Sequence, residues 1–129
     1  MTASFPSLRG LKVLLAEDAI DNQILIRRFL ESSGASMDWA KNGLEACMRV
    51  LQTNYDLVLM DIQMPEMDGI QATKKLRASG FQKPILALTA HAMKSEISKS
   101  LEAGCNEHLI KPISKNHLVS SIRRHLPLL

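Results

Sequence analysis

The 129 residues are enough for one domain with a sizeable core, without disulfide bonds or structural metal. The chain is 46% hydrophobic and 22% charged, which is ordinary for a globular protein, and no stretch approaches the roughly 20 apolar residues of a membrane span. Residues 1–68 hold six Lys and Arg against ten Asp and Glu, and residues 69–129 hold ten against three, so the net charge of +3 is weak evidence for nucleic-acid binding.

The N-terminal segment and the cysteines indicate the protein's environment. Residues 1–10 lack the apolar core of a signal peptide, so they are interpreted as a linker or tail before a domain at residues 11–127. Cys47 and Cys105 have no metal-binding spacing and are predicted to be reduced thiols. These features predict a cytoplasmic protein whose domain does not contact a membrane.

The first half of the chain predicts two strands, each followed by a helix. An apolar strand at residues 12–16 ends at Glu17 and Asp18, and residues 37–40 form the second strand. Asp21 and Asn22 supply capping chemistry for the first helix. The apolar residues with helical spacing are Ile24, Leu25, Phe29 and Leu30 in the first helix, and Leu44, Cys47, Met48 and Leu51 in the second.

The second half predicts three further strands and three helices. The strands are residues 57–60, 85–88 and 108–110, which end at Asp61, Thr89 and Lys111 respectively. The helix after Asp61 carries Ile70, Thr73 and Leu76, the next spans about 93–103, and the last is capped by Ser114 and carries Leu118, Ile122 and Leu126.

The alternation of strands and helices predicts an α/β fold. The expected architecture is a doubly wound, flavodoxin-like sheet of five parallel strands in the order 2-1-3-4-5, with five helices. In this topology the carboxyl ends of the strands meet at one edge, and a crevice opens between strands one and three. Glu17, Asp18, Asp61, Thr89 and Lys111 are therefore expected to lie together.

These side chains are suited to phosphoryl transfer. Clustered carboxylates repel one another unless a cation joins them, and a set of hard oxygen ligands favours Mg²⁺. Lys111 adds a positive charge and Thr89 adds a hydroxyl donor. No histidine adjoins the acids to act as a base, but none is needed if the carboxylate of Asp61 is itself the nucleophile.

Four ordered blocks resemble the signatures of two-component receiver domains. They are residues 14–18 (LLAED), 60–69 (MDIQMPEMDG), 88–90 (LTA) and 111–112 (KP). Residues 87–93 and 104–112 resemble more closely the receiver domains of hybrid sensor histidine kinases than stand-alone ones. The resemblance runs from about residue 11 to residue 126.

The resemblance implies a role for each matching residue. Asp61 would accept a phosphoryl group from a phosphohistidine of a sensor histidine kinase or histidine-phosphotransfer protein. Asp18, Asp61 and the backbone carbonyl of Gln63 would hold Mg²⁺, with Glu17 acting through water. Thr89 and Lys111 would bind the phosphoryl oxygens. Such a domain catalyses its own phosphorylation and dephosphorylation and has no separate substrate.

His108 is a departure from the family pattern. Residue 108 occupies a strand-five position that is usually aromatic, often Tyr, and the resemblance implies that it moves together with Thr89 when the domain switches. Two interpretations stay open. His108 either swings inward during the switch or stays on a partner-binding surface.

These residues disfavour three alternative functions. A flavodoxin-type cofactor module needs a phosphate-binding loop where the acidic residues 17–21 stand, and a dehalogenase-type phosphatase needs an acid where Gln63 stands. A pseudo-receiver that acts only in protein interaction would be expected to have lost Asp61, Asp18 or Lys111. The basic group of Lys74, Lys75 and Arg77 has no interleaved aromatic residues and is interpreted as solvated.

Overall fold

A computed structural model describes residues 7–91 and 93–126. The described chain alternates strands and helices, as predicted. The strands are β1 (Lys12–Ala16), β2 (Ser36–Ala40), β3 (Leu57–Asp61), β4 (Ile85–Thr89) and β5 (Glu107–Ile110). The helices are α1 (Ile20–Ser32), α2 (Gly43–Gln52), α3 (Gly69–Ala78), α4 (Lys94–Ala103) and α5 (Lys115–Arg124). Among these helices there is none with the length and apolarity needed to cross a membrane.

The five strands form one parallel sheet in the order β2-β1-β3-β4-β5, which confirms the predicted topology. The register pairs Ala16 of β1 with Ala40 on one side and Met60 on the other, so β1 and β3 end side by side. Chain connections leave β1 and β3 in opposite directions along the sheet. The crevice expected at this topological switch point therefore opens beside Asp61.

The hydrophobic core lies on both faces of the sheet. One cluster combines strand residues such as Leu15 with α1 and α5 side chains such as Leu30 and Ile122. The other combines Met60 with α2 and α3 residues such as Leu76. Because both faces are covered, the central strands β3 and β4 are fully buried, as their apolar runs predicted.

Two predicted helix faces are partly wrong, since Phe29, Leu30 and Cys47 face the core as predicted but the other residues of these stripes do not. In α1, Ile24 and Leu25 are exposed, whereas Gln23 and Ile26 are buried with Leu30. In α2 the large apolar residues point outward and small residues face the protein: Leu44, Met48 and Leu51 are exposed, and Gly43, Ala46 and Cys47 are buried. The reason is close approach, since a Cβ atom on Gly43 would lie 2.4 Å from the Met67 carbonyl oxygen.

In three helices a polar side chain caps the N-terminus, whereas α1 has no side-chain cap. Asn42, Asp68 and Ser114 accept hydrogen bonds from backbone N–H groups in the first turns of α2, α3 and α5. The predicted capping of α1 by Asp21 and Asn22 is wrong. The helix starts at Ile20, the N-cap residue is Ala19, which makes no side-chain cap, and Asp21 lies in the first turn, where its negative charge favours the helix dipole.

The packed part of the chain begins before the predicted boundary at residue 11. Leu8 is buried in the core, and its backbone N–H donates to the Ser33 carbonyl oxygen at 2.8 Å. Residues 7–10 therefore do not behave as a free tail. The rest of the predicted tail, residues 1–6, lies outside the described residues, as does Pro127 at the predicted end of the domain.

Arg77 was predicted to be solvated, and it is instead a half-buried clamp. Its guanidinium donates two hydrogen bonds to the Gly104 carbonyl oxygen and one to the Asn106 side chain. It donates two more to the carbonyl oxygens of Phe81 and Lys83. The side chain thus ties the end of α3 to the segments before β4 and β5.

We expect Arg77→Ala to lower the free energy of unfolding by about 2–4 kcal/mol, because several partly buried carbonyls lose a charged donor. Urea unfolding followed by circular dichroism measures the change. Lys74→Ala, at an exposed position of the same helix, is the matched control and should change stability by less than about 0.5 kcal/mol. Equal stability of the two variants would contradict the clamp.

Candidate functional site

Three carboxylates meet where β1 and β3 end. Glu17 and Asp18 directly follow β1, and Asp61 is the last residue of β3. Each offers an oxygen, and these oxygens lie within 4.8 Å of one another. The parallel register produces this cluster, because it places the ends of the two neighbouring strands at the same edge of the sheet.

Asp61 is buried and held in place from both sides. It is 4% exposed, its Oδ1 accepts a hydrogen bond from the Gln63 backbone N–H at 3.2 Å, and its Oδ2 accepts one from Lys111 Nζ at 3.1 Å. The loop after it folds back, since the Gly69 N–H donates to the Ile62 carbonyl oxygen at 2.9 Å. The carboxylate is thereby fixed at the base of the crevice.

Glu17 is fully buried beside Asp61. Its Oε2 accepts a hydrogen bond from the Ala19 N–H at 3.2 Å. Burial and the nearby Asp61 carboxylate raise the pKa of Glu17, and the Lys111 ammonium offsets this only partly. Oε1 lies 3.0 Å from Lys111 Nζ but has no hydrogen-bond donor of good geometry among the described residues.

Lys111 reaches the cluster from the end of β5. Its backbone N–H donates to the Thr89 carbonyl oxygen at 2.7 Å, which anchors the residue to β4. Burial alone would lower the pKa of the Lys111 ammonium, but its contacts with Glu17 and Asp61 outweigh that effect and raise it. The side chain is therefore a fixed positive charge between two carboxylates.

Thr89 is at the expected strand end, but its hydroxyl is directed toward the loop before α4. The hydroxyl donates to the His91 carbonyl oxygen at 3.0 Å and accepts from the His91 N–H at 3.1 Å. Glu96 Oε2 lies 3.5 Å away. Within the described residues, Thr89 makes no hydrogen bond to Asp61.

An open cleft of about 500 Å³ adjoins the acidic cluster. One wall carries Asp18 and the exposed loop residue Gln63, and the other carries Glu96 and Lys99 of α4. These two α4 residues were not among the site residues predicted from the sequence. Only the packing of α4 beside the β3–α3 loop reveals them, because the sequence of α4 sets no charged residue apart from the others.

His108 is not part of the carboxylate and lysine cluster. It lies on β5 opposite Ala87 in the strand register and is half-buried. Its Nδ1 is buried and has no hydrogen-bond partner in the described part of the chain. The His108 side chain is thus neither fully exposed to solvent nor a core side chain whose polar atoms are all hydrogen-bonded.

The acidic cluster fits a metal ion. All three side chains offer hard oxygen atoms, and Glu17 Oε1 is a buried acceptor that pairs with the Lys111 ammonium but makes no hydrogen bond of good geometry with the described residues. The Lys111 ammonium touches two of the three carboxylates, Glu17 and Asp61. The arrangement retains negative charge that a bound cation would neutralise.

The family follows from comparison with known proteins. The family model for the response regulator receiver domain matches residues 13–123. The sensor protein GacS of Pseudomonas syringae pv. syringae is 41% identical over 121 residues, which cover 90% of this chain. The chain spans only 13% of the length of GacS.

Two solved structures are similar to this chain in both fold and sequence. The receiver domain of the sensor histidine kinase PA1611 from Pseudomonas aeruginosa, with a magnesium ion in its active-site cleft, has a TM-score of 0.84 and 36% identity, covering 90% of this chain and 97% of that one. The Saccharomyces cerevisiae complex of the Ssk1 receiver domain with the histidine phosphotransfer protein Ypd1 has a TM-score of 0.84 and 32% identity, covering 95% and 91%. The chain therefore belongs to the response regulator receiver domain family.

Proposed function

We propose that this domain accepts a phosphoryl group from phosphohistidine on Asp61 and switches conformation in a two-component phosphorelay. The observation that carries the proposal is the position of Asp61. It is a buried carboxylate at a strand end, in contact with Lys111 and beside two further acids. Membership of the receiver family supports the same role.

Asp61, Lys111 and Thr89 have different roles in the phosphoryl transfer. An Asp61 carboxylate oxygen attacks phosphorus and forms the O–P bond, while the bond between phosphorus and the donor's imidazole nitrogen breaks and its electron pair stays on that nitrogen. Lys111 stabilises negative charge on the phosphoryl oxygens, and Thr89 donates its hydroxyl to one of them. Dephosphorylation uses the same groups, with water as the acceptor.

Mg²⁺ is the cofactor that this set of oxygens would hold. Asp18, Asp61 and the backbone carbonyl of Gln63 would be its ligands, with Glu17 acting through water. The bound ion would supply positive charge for the transferring phosphoryl group. Support comes from the carboxylate cluster and from the magnesium ion in the cleft of PA1611.

The partner we propose is a sensor histidine kinase or a histidine-phosphotransfer protein. The similarity to GacS and the complex of Ssk1 with Ypd1 support both kinds of partner. We propose no direct contact of this domain with nucleic acid or membrane, and a cytoplasmic location stays a prediction. The alternative of a pseudo-receiver is disfavoured because Asp18, Asp61 and Lys111 are all present and lie together.

In the presence of Mg²⁺, the domain should gain one labile phosphate from acetyl phosphate or phosphoramidate, as measured by intact mass spectrometry. Asp18→Asn should weaken Mg²⁺ binding and slow labelling roughly 10-fold or more, since it removes one charged ligand. The buried Cys47→Ser variant is the control and should label like the wild type. Superimposable Mg²⁺ titrations of wild type and Asp18→Asn would place the ion elsewhere.

The proposed switch involves Thr89 and His108. On phosphorylation, the Thr89 hydroxyl would leave the His91 carbonyl and turn toward Asp61, and the half-buried His108 would move with it. Adding beryllofluoride, a phosphoryl mimic, together with Mg²⁺ should therefore shift the imidazole NMR signals of His108. The exposed His117 on α5 is the matched reference and should shift little. Signals that stay unchanged at both histidines would exclude His108 from the switch.

A further inference from the structure

Trp39 lies on the edge strand β2 and makes a hydrogen bond to the turn that carries Glu17 and Asp18. The last backbone hydrogen bond between β2 and this turn runs from the Glu17 N–H to the Ala40 carbonyl oxygen at 3.0 Å. The next group along the chain, the Glu17 carbonyl oxygen, accepts a hydrogen bond from Trp39 Nε1 at 2.6 Å. The indole hydrogen bond thus connects β2 to the turn one peptide group beyond the last backbone hydrogen bond of the sheet.

That peptide group sets the position of Asp18. The Glu17 carbonyl and the Asp18 N–H belong to one planar unit, so fixing its oxygen restricts the rotation of the whole plane. The Asp18 side chain is exposed and accepts no hydrogen bond from the described residues. Its carboxylate is therefore placed by the backbone. Trp39 anchors that backbone at the Glu17 carbonyl, and the Ala19 N–H that donates to Glu17 Oε2 holds the same turn from inside.

The packing of the Trp39 ring orients its N–H group toward the Glu17 carbonyl oxygen. The half-buried ring of Trp39 packs against the core cluster that contains Leu15 and Leu30. The ammonium of Lys41 lies 5.7 Å from the ring centroid. The ring therefore packs against the core and also directs its N–H group at the Glu17 carbonyl oxygen.

We propose that Trp39 is a positioning residue for the metal site, holding the turn of Glu17 and Asp18 in the geometry that binds Mg²⁺. The inference rests on the proposed function, in which Asp18 is a metal ligand. Trp39 itself touches neither the ion nor the phosphoryl group. It acts through the peptide group between the two acids.

Trp39→Phe tests this by removing the N–H donor while keeping an aromatic ring. Mg²⁺ titrations followed by the amide NMR signals of Asp18 and Asp61 should show an affinity roughly three- to tenfold weaker than that of the wild type, the effect of losing one hydrogen bond. Without metal, the Glu17 amide, which donates to the Ala40 carbonyl oxygen, should exchange with solvent faster. Replacement of Trp39 by 3-benzothienylalanine, which keeps the shape of the indole but has sulfur in place of N–H, should give the same loss.

Tyr55→Phe is the matched control. It removes another aromatic donor to β2, the hydroxyl that donates to Asp38 Oδ2 at 2.7 Å, and should leave Mg²⁺ affinity unchanged whatever it does to stability. If the wild type binds Mg²⁺ and the Trp39 variants bind it equally well, the positioning role is overturned and the proposed function stands. If the wild type binds no Mg²⁺, both are overturned.

Discussion

Asp61→Asn should slow the gain of labile phosphate by roughly 10³-fold or more, the size of effect expected when a nucleophile is removed. Asparagine keeps the shape of the side chain and can still accept a hydrogen bond from the Gln63 N–H. An amide, however, cannot form the acyl phosphate. The change also removes one negative charge from a crowded cluster, so the domain should stay folded.

Asp56→Asn is the matched control for this variant. Asp56 lies just before β3, at the opposite end of the strand, and its Oδ2 accepts a hydrogen bond from the Lys12 N–H at 2.8 Å. The phosphate gained from acetyl phosphate, followed by intact mass spectrometry, should match the wild type in Asp56→Asn. If Asp61→Asn labels at the wild-type rate, another group accepts the phosphate.

Gly69→Ala should damage both the fold and the site. A Cβ atom at this position would lie 2.2 Å from the Asp61 carbonyl oxygen and 2.9 Å from the Ile62 Cα. These are backbone atoms, which cannot move aside as the end of a flexible side chain can. We expect the free energy of unfolding to fall by about 2–4 kcal/mol, with slower labelling of Asp61 because its backbone is displaced.

Gly80→Ala separates this clash from the general cost of replacing glycine. At Gly80 an added Cβ meets open space, and the cost of about 1–2 kcal/mol comes only from its φ of +99°. Urea unfolding and acetyl phosphate labelling of both variants give the comparison. Gly80→Ala should label normally, and a Gly69→Ala variant that also labels normally would show that the loop does not position Asp61.

The sheet and the site could be predicted because both depend on short-range patterns in the sequence. Apolar runs such as residues 57–60 are typical of buried parallel strands. Once the strand order is known, topology alone brings the ends of the strands together, so Asp61 and Lys111 meet although 50 residues separate them. No side-chain detail is needed for that inference.

The helix faces could not be predicted with the same success. Apolar spacing in α2 indicates a buried stripe, but close packing on the β3–α3 loop selects Gly43 and Ala46 and leaves Leu51 exposed. Tertiary contact overrides the amphipathic pattern wherever two backbones approach closely. The clamp of Arg77 has the same origin, because its carbonyl partners are brought near it only by the fold.

Details of the site that depend on side-chain direction were also beyond the sequence. Motif spacing places Thr89 at the end of β4, but only the structure shows its hydroxyl bonded to His91 rather than turned toward Asp61. The hydrogen bond from Trp39 to Glu17 is a similar case, since a tryptophan on an edge strand carries no sequence signal of an interaction with the neighbouring strand.

Direct mapping of the phosphorylated residue tests the central claim. The wild-type domain is incubated with acetyl phosphate and Mg²⁺, reduced with borohydride, and digested for peptide mass spectrometry. Because borohydride reduces an aspartyl phosphate to homoserine, we predict homoserine at position 61 and unmodified aspartate at positions 18, 56 and 68. Reduction at another acidic residue, or no reduction in labelled protein, would contradict the assignment of Asp61 as the phosphoacceptor.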